Sequence, residues 1–177
     1  MDIFEVMKAR HAVRSYNDNK IEEATVKQLR DLIEECNRES GLHIQLCTEE
    51  PNAFNSMLAH YGKFRNVKNY VALIGKKSKG MEEKIGYYGE KIVLKATEHG
   101  LGSCWVAMSY SKGKCDAIID EGEKLVCVIA LGYSDEGTAE RKTKSVEELS
   151  RVSPRNGSSS ACADCDESAE IPLCTQW

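Results

Sequence analysis

The sequence predicts an α+β fold, a sandwich in which helices flank a mixed or antiparallel sheet. Two long segments, near residues 25–40 and 81–99, repeat apolar side chains at helical spacing. Two short apolar runs, 69–75 and 124–132, read as buried strands. Helices and strands alternate along the chain, so each helix has a sheet face to cover.

In chain order, residues 2–9 predict a short helix and residues 10–16, Arg-His-Ala-Val-Arg-Ser-Tyr, an extended or irregular link. Thr25 and Gln28 have the spacing of a capping box. Behind it Val26, Leu29, Ile33 and Cys36 form one helical stripe, and Gly41 supplies a stop. Residues 43–48 alternate and predict a strand, whereas 51–68 carry no assignable period. Asn69 to Gly75 is a short buried strand. Residues 81–99 form the second long helix, with Ile85, Tyr88, Ile92 and His99 on one side and Gly100 at its end. Leu101 to Met108 is a loop or strand entry, Ser111 to Asp120 a third helix, and Lys124 to Gly132 the most apolar strand. After Leu149 the pattern breaks into turn composition, so residues 153–177 are expected to be a poorly ordered tail.

At 177 residues the chain suits one domain. Its 41% hydrophobic and 29% charged residues exclude a wholly disordered chain. No apolar run approaches the roughly 18 residues of a membrane helix, and Met1 to Arg10 lacks a signal-peptide core. A cytoplasmic protein without membrane contact is expected. The net charge of −4 argues against a nucleic-acid partner. Residues 153–177 hold one arginine and four acids, −3 of that total, so residues 1–152 are nearly neutral. Cys36, Cys47, Cys104, Cys115 and Cys127 are scattered singly and suit buried thiols. Cys162, Cys165 and Cys174 crowd into the tail; zinc wants four ligands, so no metal site is expected.

Three segments offer chemistry. If the link is extended, Arg10, Ala12 and Arg14 face one way, and two guanidinium groups suit a phosphate. The ordinary reading is two solvated surface arginines. Gly100 and Gly102, before Ser103 to Met108, let backbone approach a flat ligand; the ordinary reading is a helix cap followed by a buried tryptophan. Arg141 to Lys144 is a basic cluster that could complete an anion site or simply be a solvated loop. Tyr87, Tyr88 and Phe64 could line a pocket, though core packing is the plainer role for each.

In order and spacing these segments resemble the FMN-dependent nitroreductases. The resemblance rests on the opening helix ending in RHAVRSY, the helix running into GLGSCWV, the apolar strand ending LGY, and the basic residues followed by SVEEL. It covers roughly residues 1–152, read as a partial FMN-binding domain. The resemblance implies Arg10, Arg14, Lys142 and Lys144 as phosphate ligands and His11 as a backbone contact near the flavin. It also implies that the backbone of Ala107 and Met108, with the Gly102 turn before it, lies against the isoalloxazine. Ala12 stands where the family commonly has serine, which removes one neutral hydrogen bond worth roughly 0.5–1.5 kcal/mol. No catalytic side chain is implied, because in that family the flavin takes a hydride from a nicotinamide cofactor and passes electrons to a second substrate. The implied protein is an FMN oxidoreductase with NAD(P)H as donor, a flat small-molecule acceptor such as a nitroaromatic or quinone, and a homodimeric intact form. The residues do not decide between NADH and NADPH. Two alternatives stay open, a non-catalytic flavin- or phosphate-binding remnant and a small cysteine-rich interaction protein.

The family's Asn- and Gln-containing flavin loop is not matched at residues 36–43. In the most similar branch that loop follows the basic segment, where the odd tail begins. Back-translated with permitted codons and read one nucleotide later, residues 155–174 yield an amphipathic helix, an Ala-Pro-Thr-Ala-Thr-Asn-Gln-Gln loop and a strand. The hypothesis is a frame slip shortly before Arg155, leaving the fold C-terminally incomplete. The DNA sequence tests it: codons that give no Asn-Gln-Gln reading in any shifted frame would sink it.

Overall fold

The computed structural model describes residues 2–135 apart from 56 and 58–61. Helix α1 spans Ile3–Ala9 and α2 spans Glu23–Ser40. Strands β1 (Gln45–Cys47) and β2 (Asn69–Lys76) follow, then α3 (Met81–Glu98). Strand β3 (Gly102–Val106), a single 3-10 turn at Lys112–Lys114 and β4 (Glu123–Gly132) complete the described chain. The strands form one sheet in the order β1-β2-β4-β3, every pair antiparallel. The α+β class and the antiparallel sheet are as the sequence predicts.

Side chains alternate across the sheet. On one face Val71 and Leu73 of β2 and Ile129 and Leu131 of β4 pack against Leu29, Ile33 and Cys36 of α2 and Ile85, Ile92 and Val93 of α3. On the other face Tyr70, Ala72 and Ile74 of β2 and Val128 and Ala130 of β4 meet Phe54, Phe64, Val67, Tyr110 and Val13. Strand β2 is therefore buried on both faces, which is why its sequence is a continuous apolar run.

Several boundaries differ from expectation. Helix α2 starts at Glu23, and Thr25 is a buried first-turn residue rather than the cap. Gly41 ends that helix in the left-handed region, as its placement predicts. The first strand narrows to three residues, although His43 N–H still donates to Ile74 O at 2.9 Å. The helix expected over 111–120 is replaced by the 3-10 turn and irregular chain. Tertiary bonds hold that chain open: Asp116 N–H donates to the Tyr70 hydroxyl at 2.8 Å, and the Gln45 side chain exchanges two hydrogen bonds with the Ile118 backbone, at 2.6 and 3.0 Å. Tyr87 is 65% exposed rather than core, while Phe64 is buried in the core. Cys36, Cys47 and Cys104 are buried thiols, and Cys115 and Cys127 are half-buried.

The expectations for Arg141–Lys144, the cysteine cluster, the 153–177 tail and the frame slip lie outside the described residues.

Candidate functional site

Helix α1 stops because Arg10 turns extended, with φ −63° and ψ 126°, while its N–H still donates to Val6 O at 2.9 Å. The link then runs beside β3. Ala12 forms a parallel bridge with Ser103, and Val13 N–H donates to Ser103 O at 2.9 Å. Further on, Arg65 N–H donates to Arg14 O at 2.8 Å and Asn17 N–H to Tyr133 O at 2.9 Å. The buried Val13 and Tyr16 anchor this ribbon, and the Tyr16 hydroxyl donates to Val13 O at 2.6 Å.

The other wall comes from the end of α3. Gly100 adopts φ +74°, and Leu101 N–H reaches back to Ala96 O at 3.0 Å, a left-handed helix cap. The cap turns the chain straight into β3, whose Gly102 lies under Val13. A Cβ at Gly102 would stand 2.8 Å from Val13 Cγ2, so the link packs this closely because Gly102 has no side chain.

Between these walls lies a cleft of about 230 Å³, lined by Arg10, His11, Val13, Gly100, Gly102 and Ser134 among others. Among the described residues its lining takes in Arg10, His11, Thr97 and Ser134 and no acidic residue, a set that favours an anion. At that volume it falls below the roughly 300–1,000 Å³ of pockets for whole drug-sized ligands and suits one end of an elongated molecule. The donor set fits the phosphate end of FMN.

The ordinary reading of Arg10 as a solvated arginine fails, since it is 5% exposed. Its Nε lies 3.6 Å from Oε1 of Glu90 on α3, and the other oxygen of that carboxylate accepts from Trp105 Nε1 at 3.0 Å. Of the residues singled out from sequence, Arg10, His11 and Gly102 share the cleft, with Ala12 beside them on the bridge to β3. Arg14 is half-buried and does not line the cleft. Ala107 and Met108 are exposed past the far end of β3, whose four steps from Gly102 to Val106 span about 13 Å. Lys142 and Lys144 lie outside the described residues. Glu90, Trp105 and Ser134 were missed. No local signal marks Glu90, which sits beside Lys91 on an amphipathic helix.

A second cluster is structural. His43, Asp120 and Glu123 bring ligand-type atoms within 4.8 Å of one another. The Gln45 amide is oriented by its two bonds to Ile118, so its NH2 points at His43 Nε2, 3.2 Å away. His43 Nε2 must accept there, and Nδ1–H donates to Glu123 at 2.8 Å. Burial alone would raise the Glu123 pKa, but hydrogen bonds from His43 and Asp120 N–H hold it below its ordinary 4.5. The trio is a strut between the start of β1 and the start of β4.

Among the described residues no helix is long and apolar enough to cross a membrane. A family model described as "Putative TM nitroreductase" matches residues 2–161. The fold is similar to a nitroreductase family protein from Clostridium difficile 630, with TM-score 0.65 and 16% identity over 88% of this chain and 99% of that one. It is also similar to an FMN-dependent nitroreductase from Clostridium difficile R20291, with TM-score 0.62 and 20% identity over 87% and 99%. A nitroreductase with bound FMN from Bacteroides fragilis matches with TM-score 0.62 and 17% identity over 86% and 100%. No curated protein matches the sequence.

Proposed function

The chain belongs to the nitroreductase family, and from that membership we propose that it is an FMN-dependent oxidoreductase drawing electrons from NAD(P)H for a flat acceptor such as a nitroaromatic or quinone. The observation that carries the reading is the buried Arg10 at a cleft whose lining, among the described residues, holds donors and no acidic residue. Structural relatives described as FMN-dependent or as holding FMN support the choice of cofactor.

FMN, when bound, supplies reversible two-electron chemistry, and the protein supplies binding, orientation and electrostatics. Arg10, His11 and Ser134 provide the donors for its phosphate, and Arg14, Lys142 and Lys144 add positive charge. The backbone of Ala107 and Met108 offers N–H and C=O groups to a flat ring edge. No side chain is assigned a proton-transfer or nucleophilic role. The proposal includes a cytoplasmic homodimer, for which the exposed Ile3 and Phe4 of α1, 47% and 42% accessible, offer apolar surface.

The test is to purify the chain, record its visible absorbance, titrate FMN by fluorescence quenching while sizing the protein, and then assay NAD(P)H oxidation with each acceptor class. A yellow dimer that oxidises NAD(P)H supports the reading. A colourless chain that leaves FMN fluorescence unquenched overturns it. Bound FMN without turnover would favour the non-catalytic flavin-binding alternative.

A further inference from the structure

We propose that Glu90 is a positioning residue that fixes the Arg10 guanidinium beside the cleft, with Trp105 holding the Glu90 carboxylate in place. The proposal rests on the FMN reading above and deepens it by naming what orients its central arginine.

The three residues come from three elements: the C-terminal end of α1, the middle of α3, and β3. Arg10 lines the cleft, and neither Glu90 nor Trp105 does. Glu90 meets the guanidinium through Nε at 3.6 Å, from outside the residues that line the cleft. Its second oxygen is committed to the indole N–H at 3.0 Å. A carboxylate with both oxygens engaged is confined to few rotamers, and so is the arginine it pairs with.

The indole is itself fixed. Gly89, next to Glu90, has no side chain, and a Cβ there would stand 2.4 Å from Trp105 Cη2. The ring lies against the backbone of α3, so its N–H is presented to Glu90 by close packing. A guanidinium with a side chain 6% exposed is costly without a charge partner, and Glu90 supplies one while staying 41% exposed itself. The arrangement keeps Arg10 oriented before an anion arrives, which lowers the ordering cost of binding.

The experiment measures the affinities of FMN and of riboflavin, which lacks the phosphate, for the wild-type chain and for Glu90→Ala, Glu90→Gln, Trp105→Phe and Arg10→Ala. Glu90→Ala is expected to weaken FMN about tenfold, the size of one charge-assisted contact, and to leave riboflavin nearly unchanged. Glu90→Gln keeps an acceptor for the indole and an oxygen facing Arg10, so it is expected to recover most of the loss. Trp105→Phe keeps a ring but not the donor and should lose part of the FMN preference; it also serves if Glu90→Ala fails to fold. General loosening would weaken both ligands alike. An unchanged FMN-to-riboflavin ratio in Glu90→Ala, alongside a reduced ratio in Arg10→Ala, overturns the positioning role alone. Tighter FMN binding by both Glu90 variants would make Glu90 a competing charge and overturns it too. A ratio unchanged even in Arg10→Ala, or a wild-type chain that binds neither ligand, overturns the FMN site together with the role built on it.

Discussion

A Cβ at Gly89 would meet Trp105 at 2.4 Å and 3.0 Å, against a rigid ring rather than a flexible tip. At the scale of single residues, the site depends on such omissions: Gly89 admits Trp105, and Gly102 admits Val13. Gly89→Ala gains about 1 kcal/mol of helix propensity but overpacks the ring at a cost of typically 1–3 kcal/mol. We expect a net loss of stability and a Tm lower by about 2–6 °C, read by calorimetry. A Tm that rises would show that the indole moves aside freely, and would remove the support it gives Glu90. That Arg10 is a candidate anion donor was legible in sequence, because two arginines with three residues between them after a helix suit a phosphate. Its burial and its partner were not, since Glu90 lies 80 positions away and no local pattern links them.

At the scale of elements, β2 and β4 were legible because burial on both faces writes an uninterrupted apolar run. Helix α2 was legible by its stripe and by Gly41, while its start was misplaced. Thr25 and Gln28 have the spacing of a capping box, but the threonine is only 5% exposed and sits inside the first turn. Gly41 adopts φ +71° with open space where its Cβ would be, so any penalty there is purely conformational. Gly41→Ala should cost about 1 kcal/mol and lower Tm by about 2–4 °C, without changing FMN affinity. Thermal unfolding beside a flavin titration checks both halves. The region 111–120 misled because Tyr70 and Gln45, remote in sequence, take the backbone donors at Asp116 and Ile118.

Across the whole molecule, the helix-backed sheet buries thiols and phenols. Burial pushes the Cys115 and Cys127 thiols from an ordinary 9.0 up to about 11, and it raises Cys36, Cys47, Tyr70 and Tyr110 as well. The unfolded chain releases the thiol protons near pH 9, whereas the fold keeps them until about pH 11. Between those values the native state binds more protons, so stability is complete below pH 9 and falls as pH rises toward 11. Melting curves across that window should show a steady decline in Tm, with the thiols slow to alkylate until the fold opens. A flat profile from pH 9 to 11 would contradict this burial of the thiols.

The sequence by itself determined the fold class, the two long helices, the central strands and the three segments that resemble the nitroreductases, because apolar period and glycine placement are local signals. The tertiary structure alone decided which of those segments meet. It brought Arg10, His11 and Gly102 to one cleft, left Ala107 and Met108 at the other end of β3, and joined Glu90 to both Arg10 and Trp105. The reason is physical: a hydrogen bond or an ion pair depends on distance in space, and only the packing of α1 on α3, and of α3 on the sheet, fixes that distance.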